Sequence, residues 1–121
     1  MEATRATKSR DQGIDIANVA REALDDRHGE EIVLLDVREH TAIMDYVLIV
    51  SGSSPPHLKA LFGEVQNQLK QSGIAVYRRA GTPECGWMVL DYIDTVIHIF
   101  SPDARQYYAL EKLWERAPRL S

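Results

Sequence analysis

The chain has 121 residues and a mass of 13.7 kDa, which fits one domain. Its apolar fraction of 45% and charged fraction of 26% are ordinary for a globular protein, and it has no apolar run of the roughly 20 residues that a membrane span needs. The single cysteine excludes an internal disulfide framework and a multi-cysteine metal site.

Charge is unevenly distributed along the chain. Residues 1–10 carry three basic side chains against one acidic one, and the remaining body has 11 bases against 17 acids, a balance of −6. Direct recognition of nucleic acid needs Lys and Arg on the phosphates, so this body suits a basic protein partner better. The alternative is that mild acidity only maintains solubility. Because the N-terminus lacks the apolar segment of a secretory signal, we expect a cytoplasmic location.

Hydrophobic periodicity predicts the first elements in order. Residues 1–10 are polar and predict a disordered tail. Apolar residues at helical spacing predict a helix over residues 11–27, ended by Gly29. Two apolar runs, residues 31–37 and 45–50, then predict buried strands.

A second helix and an edge strand follow. Ser54 is the predicted N-cap, with Pro55 in the first turn of the helix, and Gly73 is the predicted stop. Residues 74–77 predict a short strand at a sheet edge, and residues 78–84 predict a polar loop.

A strand pair completes the sheet. In the strand at residues 87–91, alternation places Trp87, Val89 and Asp91 on one face. The next strand, residues 95–100, is apolar on both faces, which is typical of a central strand.

The C-terminal part predicts one further helix. Ser101 is a cap and Pro102 occupies the first turn, and the apolar side chains at helical spacing are Tyr107, Leu110, Leu113 and Trp114. The segment after the tryptophan has a proline and no periodicity, so we expect it to fray. The order α-β-β-α-β-β-β-α predicts a single α/β domain over residues 11–117, with helices on one mixed sheet, and a tail at residues 118–121.

Residue spacing argues against several catalytic sites. No two acids are separated by one residue, so the paired ligands of a two-metal site are absent from the sequence, and the glycine spacing excludes the common phosphate-binding loops. The Ser-Gly-Ser-Ser turn precedes a helix, but Pro55 and Pro56 remove amide donors that an anion would need. A hydrolase site built on Ser53 or Ser54 with His57 lacks an evident orienting carboxylate. We predict no metal site and no cofactor.

Two groups of polar residues stay open to interpretation. His98 lies between apolar neighbours, which favours a buried histidine bonded to one partner, such as the carboxylate of Asp36, Asp45 or Asp91. A tryptophan flanked by carboxylates is typical of a protein-binding surface, but a core tryptophan explains Trp87 equally well. Cys85 is more simply an incidental loop cysteine.

Two ordered blocks resemble a known family. One is W-x-x-x-D-x-x-D-x-x-x-H-x-F followed by R-x-x-Y-x-L-E-x-L-W, which starts at Trp87 and ends at Trp114. The other runs from Asp45-Tyr46 through the Ser51–Ser54 turn to His57. The chain resembles the ribosomal silencing factor family, also called Iojap-like proteins, over about residues 14–115.

The resemblance implies a fold, a partner and a function. The fold is similar to that of nucleotidyltransferases. Members bind the large ribosomal subunit through its protein L-fourteen and obstruct joining of the small subunit, which lowers translation when nutrients fail. The resemblance therefore implies a steric blocker that is no enzyme and needs no cofactor, membrane or direct nucleic-acid recognition. By position, the implied partner contacts are Trp87, Met88, Asp91, Tyr92 and Asp94.

Other matched polar residues have open roles, and they are His98, Asp45, His57, Arg105 and Glu111. Many members have glycine where this chain has Ile93, which puts the hairpin turn type in question because β-branched residues disfavour positive φ. An apolar hairpin face and a short edge strand also offer surface for a homodimer. The alternative function is a catalytically degenerate nucleotidyltransferase-like module that binds a nucleotide or another partner. A small metabolic enzyme would instead show a deep polar pocket.

Overall fold

The computed structural model describes residues 2–121, with side chains from residue 12 onward. The disordered tail predicted for residues 1–10 falls on positions whose side chains lie outside that description, so it stays a prediction. In chain order the elements are α1 (Glu2–Asp26), β1 (Glu30–Asp36), β2 (Tyr46–Ser51), α2 (Pro55–Gln71), β3 (Arg78–Thr82), β4 (Trp87–Asp91), β5 (Thr95–Phe100), α3 (Pro102–Tyr108) and α4 (Leu110–Leu113). No helix of the described residues is long and apolar enough to cross a bilayer.

The strands form one mixed sheet in the order β1-β2-β5-β4-β3. Strands β2 and β5 are parallel, and the other neighbouring pairs are antiparallel. Strand β5 is therefore central, as its two apolar faces predict. Because a parallel pair needs a crossover connection, the chain between β2 and β5 contains α2, β3 and β4. The prediction of a mixed sheet with packed helices is confirmed.

One face of the sheet is covered by α1 and α2. Apolar side chains of both helices are buried here, and each fully buried aliphatic side chain contributes on the order of 1.5–3 kcal/mol. Ser54 caps α2 as predicted, since its side chain accepts a hydrogen bond from the N–H of His57. The side chains that fill this core include Ile16, Ala20, Leu24, Leu48, Leu58, Leu61, Val65, Leu69, Leu90, Ile97 and Ile99.

The opposite face is covered only in part. The C-terminal helices pack over β1, β2 and the end of β5, where Phe100 is fully buried and Leu110 and Trp114 pack against it. Toward β4 the cover ends. Trp87, Val89 and Asp91 are half-buried, whereas their neighbours Met88 and Leu90 on the helix-covered face are buried. This area of the sheet is open to solvent.

The third strand lies later in the chain than predicted. Residues 74–77 form no strand, and the segment predicted as a polar loop contains β3. All five β3 residues are exposed. As an edge strand, β3 is held by its backbone hydrogen bonds to β4 and does not require apolar side chains. Gly81 has φ +85°, and a Cβ there would lie 1.9 Å from the carbonyl oxygen of Trp87. The close approach of the two strands therefore requires glycine at this position.

The last helix is interrupted, contrary to the prediction of one continuous helix. Ala109 adopts a left-handed conformation with φ 48°, which separates α3 from α4. As a result Tyr107 and Leu113, predicted to lie on a buried stripe, are 81% and 69% exposed. In an unbroken helix, residues six apart do not face each other. The break turns Glu111 back toward Arg105.

The C-terminal segment is ordered along the edge of β1, so the prediction that it frays is wrong. The N–H of Asp36 donates to the carbonyl oxygen of Pro118 at 2.9 Å, and the N–H of Leu120 donates to Leu34 at 2.7 Å. Leu35 and Arg119 form an isolated bridge between these two bonds. Since unpaired strand edges promote aggregation, this segment protects one edge of the sheet. The other edge, β3, stays exposed.

Candidate partner-binding site

The open part of the sheet carries an aromatic cluster, which consists of Trp87, His98, Phe100, Tyr107 and Tyr108. The ring centroid of Trp87 lies 4.5 Å from that of Tyr108, 5.0 Å from that of Phe100 and 6.0 Å from that of His98. Tyr108 is 50% exposed, whereas Phe100 is fully buried. Aromatic pairs at these separations contribute about 0.5–1.5 kcal/mol beyond their buried area. The ring of Tyr108 is therefore held in place by its aromatic neighbours and is still half exposed to solvent.

Three elements position this cluster. The register of β4 against β5 pairs Trp87 with Phe100. The next residue, Ser101, caps α3 by accepting from the N–H of Ala104 at 3.1 Å, as predicted. The N–H of Ser101 donates to the carbonyl oxygen of Gly86 at 2.8 Å, which ties the start of α3 to the start of β4. Helix α3 consequently delivers Tyr108 onto the indole of Trp87.

His98 is neutral and is bonded to one partner as predicted, but that partner is the indole of Trp87 and not a carboxylate. Nε1 of Trp87 donates to Nδ1 of His98 at 3.1 Å. Burial lowers the pKa of His98 to about 4, against a weaker opposing effect of Asp91. An imidazole that accepts at Nδ1 carries its proton on Nε2. The histidine thus holds Trp87 in one orientation.

Asp91 lies at the end of β4 on the open face, and it is both paired and partly exposed. Its Oδ2 is 3.6 Å from Nη2 of Arg78 on the neighbouring edge strand. Its Oδ1 accepts from the N–H of Ile93 at 2.7 Å, which orders the turn into β5. The carboxylate is therefore placed beside the aromatic face and is available to a basic group.

The remaining predicted contact residues lie elsewhere. Met88 and Tyr92 are each 5% exposed and belong to the core on the helix-covered face, which leaves little surface for a partner. The carbonyl oxygen of Asp94 accepts from the N–H groups of Asp45 and Tyr46, so this backbone joins the turn to β2. The structure brings together Trp87 and Asp91 from the predicted set. It also adds Tyr108, which stood in the matched motif but had no assigned role.

Two other matched residues join separate elements. Nδ1 of His57 accepts from the N–H of Ser53 at 2.9 Å, and Nε2 lies 2.8 Å from the carbonyl oxygen of Arg27. The imidazole therefore links the end of α1 to the turn before α2. With a backbone carbonyl where a hydrolase would place an orienting carboxylate, this geometry does not resemble a catalytic triad.

Arg105 is the second such residue. It is 10% exposed and makes a bidentate contact with Glu111, at 2.9 and 3.0 Å. Its third contact, at 3.0 Å, is to the hydroxyl of Ser51 at the end of β2. These bonds lower the pKa of the Glu111 carboxyl. The group fixes the bend between α3 and α4 against the sheet.

The potential for metal and thiol chemistry is limited in the part of the chain that the structure describes. Among those residues, no three His, Cys, Asp or Glu side chains form a group that could hold a metal ion. Cys85 is exposed, and hydrogen bonds from Thr82 lower the pKa of its thiol. Its sulfur also contacts the carbonyl oxygens of Thr82 and Trp87. This thiol stabilises the turn between β3 and β4.

Comparison with known proteins relates the chain to one family. The family model described as "Ribosomal silencing factor during starvation" matches residues 10–121. The chain is 39% identical over 103 residues to the ribosomal silencing factor RsfS of Bacillus subtilis, covering 85% of this chain and 87% of the relative.

Solved structures agree in fold. A crystal structure of a Chromobacterium violaceum protein superposes with a TM-score of 0.82 at 33% identity, covering 85% of this chain and 86% of that one. A Bacillus halodurans structure superposes with a TM-score of 0.77 at 32% identity, covering 88% and 97%. The mixed α/β sheet, the family match and these identities lead to one conclusion: the chain belongs to the ribosomal silencing factor family.

Proposed function

We propose that this protein silences translation by binding the large ribosomal subunit through ribosomal protein L-fourteen and sterically blocking the small subunit, during starvation or stationary phase. Family membership supports the process. The observation that supports this contact site is the pair of Trp87 and Tyr108 on the open part of the sheet, whose ring centroids lie 4.5 Å apart with the ring planes tilted by 44°.

The chemistry of this surface suits a basic protein. Aromatic side chains supply a large, rigid contact area and dominate binding energy at protein interfaces. Asp91 lies on the same strand face as Trp87, and the body outside residues 1–10 has a balance of −6. Acidic groups around an aromatic centre accelerate and orient the approach of a basic partner. Ribosomal proteins are typically basic.

The mechanism is competition for space. The bound factor occupies the volume that the small subunit needs, so it must bind free large subunits more tightly than joined ribosomes. Inhibition then increases with that difference in affinity. No reaction and no cofactor enter this mechanism. The protein acts as a binding factor in the cytoplasm, where it meets free large subunits. The exposed edge strand β3 offers a surface for a homodimer as well.

Co-sedimentation with separated ribosomal subunits tests the proposal. We expect the wild type to pellet with the large subunit alone, and Trp87→Ala and Asp91→Lys to weaken that binding. Glu22→Lys is the matched charge control, since Glu22 is exposed on α1, which covers the other face of the sheet. Thermal unfolding of each variant verifies the fold. Binding to neither subunit at physiological salt would reject the proposed function, and binding unaffected by both substitutions would move the contact elsewhere.

The alternative function is a nucleotidyltransferase-like module that retains ligand binding. A groove of about 450 Å³ between α2 and residues 74–79 carries the cationic side chains Lys70 and Arg79, which is the feature that favours it. Calorimetry with nucleotides and Mg²⁺ separates the two proposals. The silencing function predicts no heat of binding, and a saturable signal that Arg79→Gln removes would favour the alternative.

A further inference from the structure

A second exposed apolar area lies at the other end of the same sheet face. Ile43 is 75% exposed, Tyr77 is 64% exposed and Ile93 is 56% exposed. Together with Val96 they line a pocket of about 350 Å³, which is termed here the aliphatic pocket. These four side chains come from four separate segments, which are the β1–β2 loop, the residue before β3, the β4–β5 turn and β5. Clustered exposed apolar side chains of this kind mark interaction sites.

The turn that supplies Ile93 is strained. Ile93 has φ 73°, and the N–H of Asp94 donates to the carbonyl oxygen of Tyr92 at 2.9 Å, which closes a three-residue γ-turn. Left-handed backbone is unfavourable for a β-branched residue, whereas Gly or Asn adopts it easily. The chain nevertheless places an isoleucine here, with more than half of its side chain in solvent. Strain at an exposed position is characteristic of functional surfaces.

The aliphatic pocket is continuous with the aromatic cluster. Asp91 and Val96 line the pocket, and Asp91 is on the same face of β4 as Trp87. At about 3.3 Å per residue, Trp87 and Asp91 lie about 13 Å apart along the strand. A protein interface of ordinary size buries about 800 Å² on each partner. One partner surface of ordinary size is therefore large enough to span both areas.

Charge distinguishes the possible occupants of the pocket. A second copy of this chain carries the same acidic body, with a balance of −6 outside residues 1–10, and like charge opposes its approach. A basic protein is attracted instead. Asp91 on the rim, 3.6 Å from Arg78, can exchange that weak ion pair for one with the partner.

From these observations we propose that the ribosome-facing surface has two parts, and that the aliphatic pocket receives an apolar side chain of the same basic ribosomal protein that covers the aromatic cluster. This inference rests on the proposed function. It makes Ile93 and Ile43 binding residues, and it explains why the strained isoleucine is exposed.

The test uses a substitution whose effects on stability and on binding have opposite signs. Ile93→Asn introduces a residue that tolerates left-handed backbone and removes the apolar side chain. We expect its thermal midpoint to be equal to or above that of the wild type, while its affinity for the large subunit falls about tenfold, as for an apolar contact within an interface. Ile43→Ser, at an unstrained position, should weaken binding similarly. Leu113→Ser, 69% exposed on α4, is the matched control and should bind as the wild type does.

The subunit-binding and self-association measurements distinguish the possible outcomes. Wild-type binding with unchanged affinity of Ile93→Asn and Ile43→Ser would overturn the aliphatic pocket and leave the proposed function intact. Absence of wild-type binding would reject both. If sedimentation equilibrium showed that these substitutions change self-association but not subunit binding, the pocket would belong to a second copy and the proposal would be overturned.

Discussion

The indole of Trp87 donates its hydrogen bond to Nδ1 of His98 across 3.1 Å, so the half-buried tryptophan of the candidate site and a half-buried neutral histidine form one unit. Protonation of the imidazole at Nδ1 removes the acceptor that this bond requires. Acid therefore loosens the orientation of Trp87 as well as the fold around it.

The first prediction concerns pH. The pKa of His98 is lowered to about 4 in the folded protein, below the ordinary value of 6.5 in the unfolded chain. Between these values the unfolded state binds more protons, so stability rises with pH across about 4 to 6.5 and is complete above that range. The His98 contribution is up to about 3 kcal/mol. Urea unfolding of wild type and His98→Gln at pH 7, 6, 5 and 4.5 measures it.

Because other groups titrate in the same pH range, the contribution of His98 is the difference between the two proteins in how their free energy of unfolding changes with pH. The wild type should lose more stability on acidification than the variant, which cannot be protonated. Equal slopes for both would show that His98 is not held neutral by burial.

The second prediction concerns the bend between α3 and α4. Arg105→Met should destabilise the protein by about 2 kcal/mol, because charged hydrogen bonds to Glu111 and Ser51 are lost. This loss of stability is small for the removal of one partner of a buried ion pair, because Glu111 is 42% exposed and water can solvate its carboxylate. Arg38→Met removes a pair with Asp36 in which the arginine side chain is 38% exposed and screened by solvent, so it should cost less than Arg105→Met, about 1 kcal/mol. Denaturant unfolding that gave both variants the same loss would contradict this structural role.

The third prediction concerns backbone strain at the hairpin turn. Ile93→Gly should stabilise the protein by about 0.5–1 kcal/mol, since relief of left-handed strain of about 1–2 kcal/mol exceeds the entropic cost of glycine. Ile43→Gly is the control, because Ile43 is also exposed but has no positive φ. It should be neutral or destabilising. A lower thermal midpoint for Ile93→Gly than for the wild type would show that the turn is unstrained.

The fourth prediction concerns the protected sheet edge. Deletion of residues 118–121 removes two backbone hydrogen bonds with β1, one accepted by the carbonyl oxygen of Pro118 and one donated by the N–H of Leu120. We expect a loss of about 1–3 kcal/mol and concentration-dependent self-association through the uncovered edge. Sedimentation velocity and denaturant unfolding measure the two effects. A truncated protein that self-associates no more than the wild type does at every concentration would show that this edge needs no protection.

Most of the helices and strands were predicted from the sequence because the signals that define them, caps and hydrophobic periodicity, lie within or next to each element. The caps at Ser54 and Ser101 and the alternation in β4 depend on neighbouring residues alone. Strand β3 escaped prediction because its five exposed residues have no pattern of their own, and hydrogen bonds to β4 define it. The break at Ala109 escaped prediction because helical spacing continues across it, and the bonds of Arg105 that fix the bend reach β2 and α4.

The same division applies to the function. The sequence by itself determined the family resemblance, the acidic body and the central position of β5, since ordered motifs, charge and periodicity are properties of the chain. Only the tertiary structure decided which predicted residues reach a partner. Met88 and Trp87 are adjacent in sequence, yet the pleat directs one into the core and the other to the open face, where α3 adds Tyr108 from 21 residues away. Side-chain exposure depends on which elements cover a face, and packing between distant segments decides that cover.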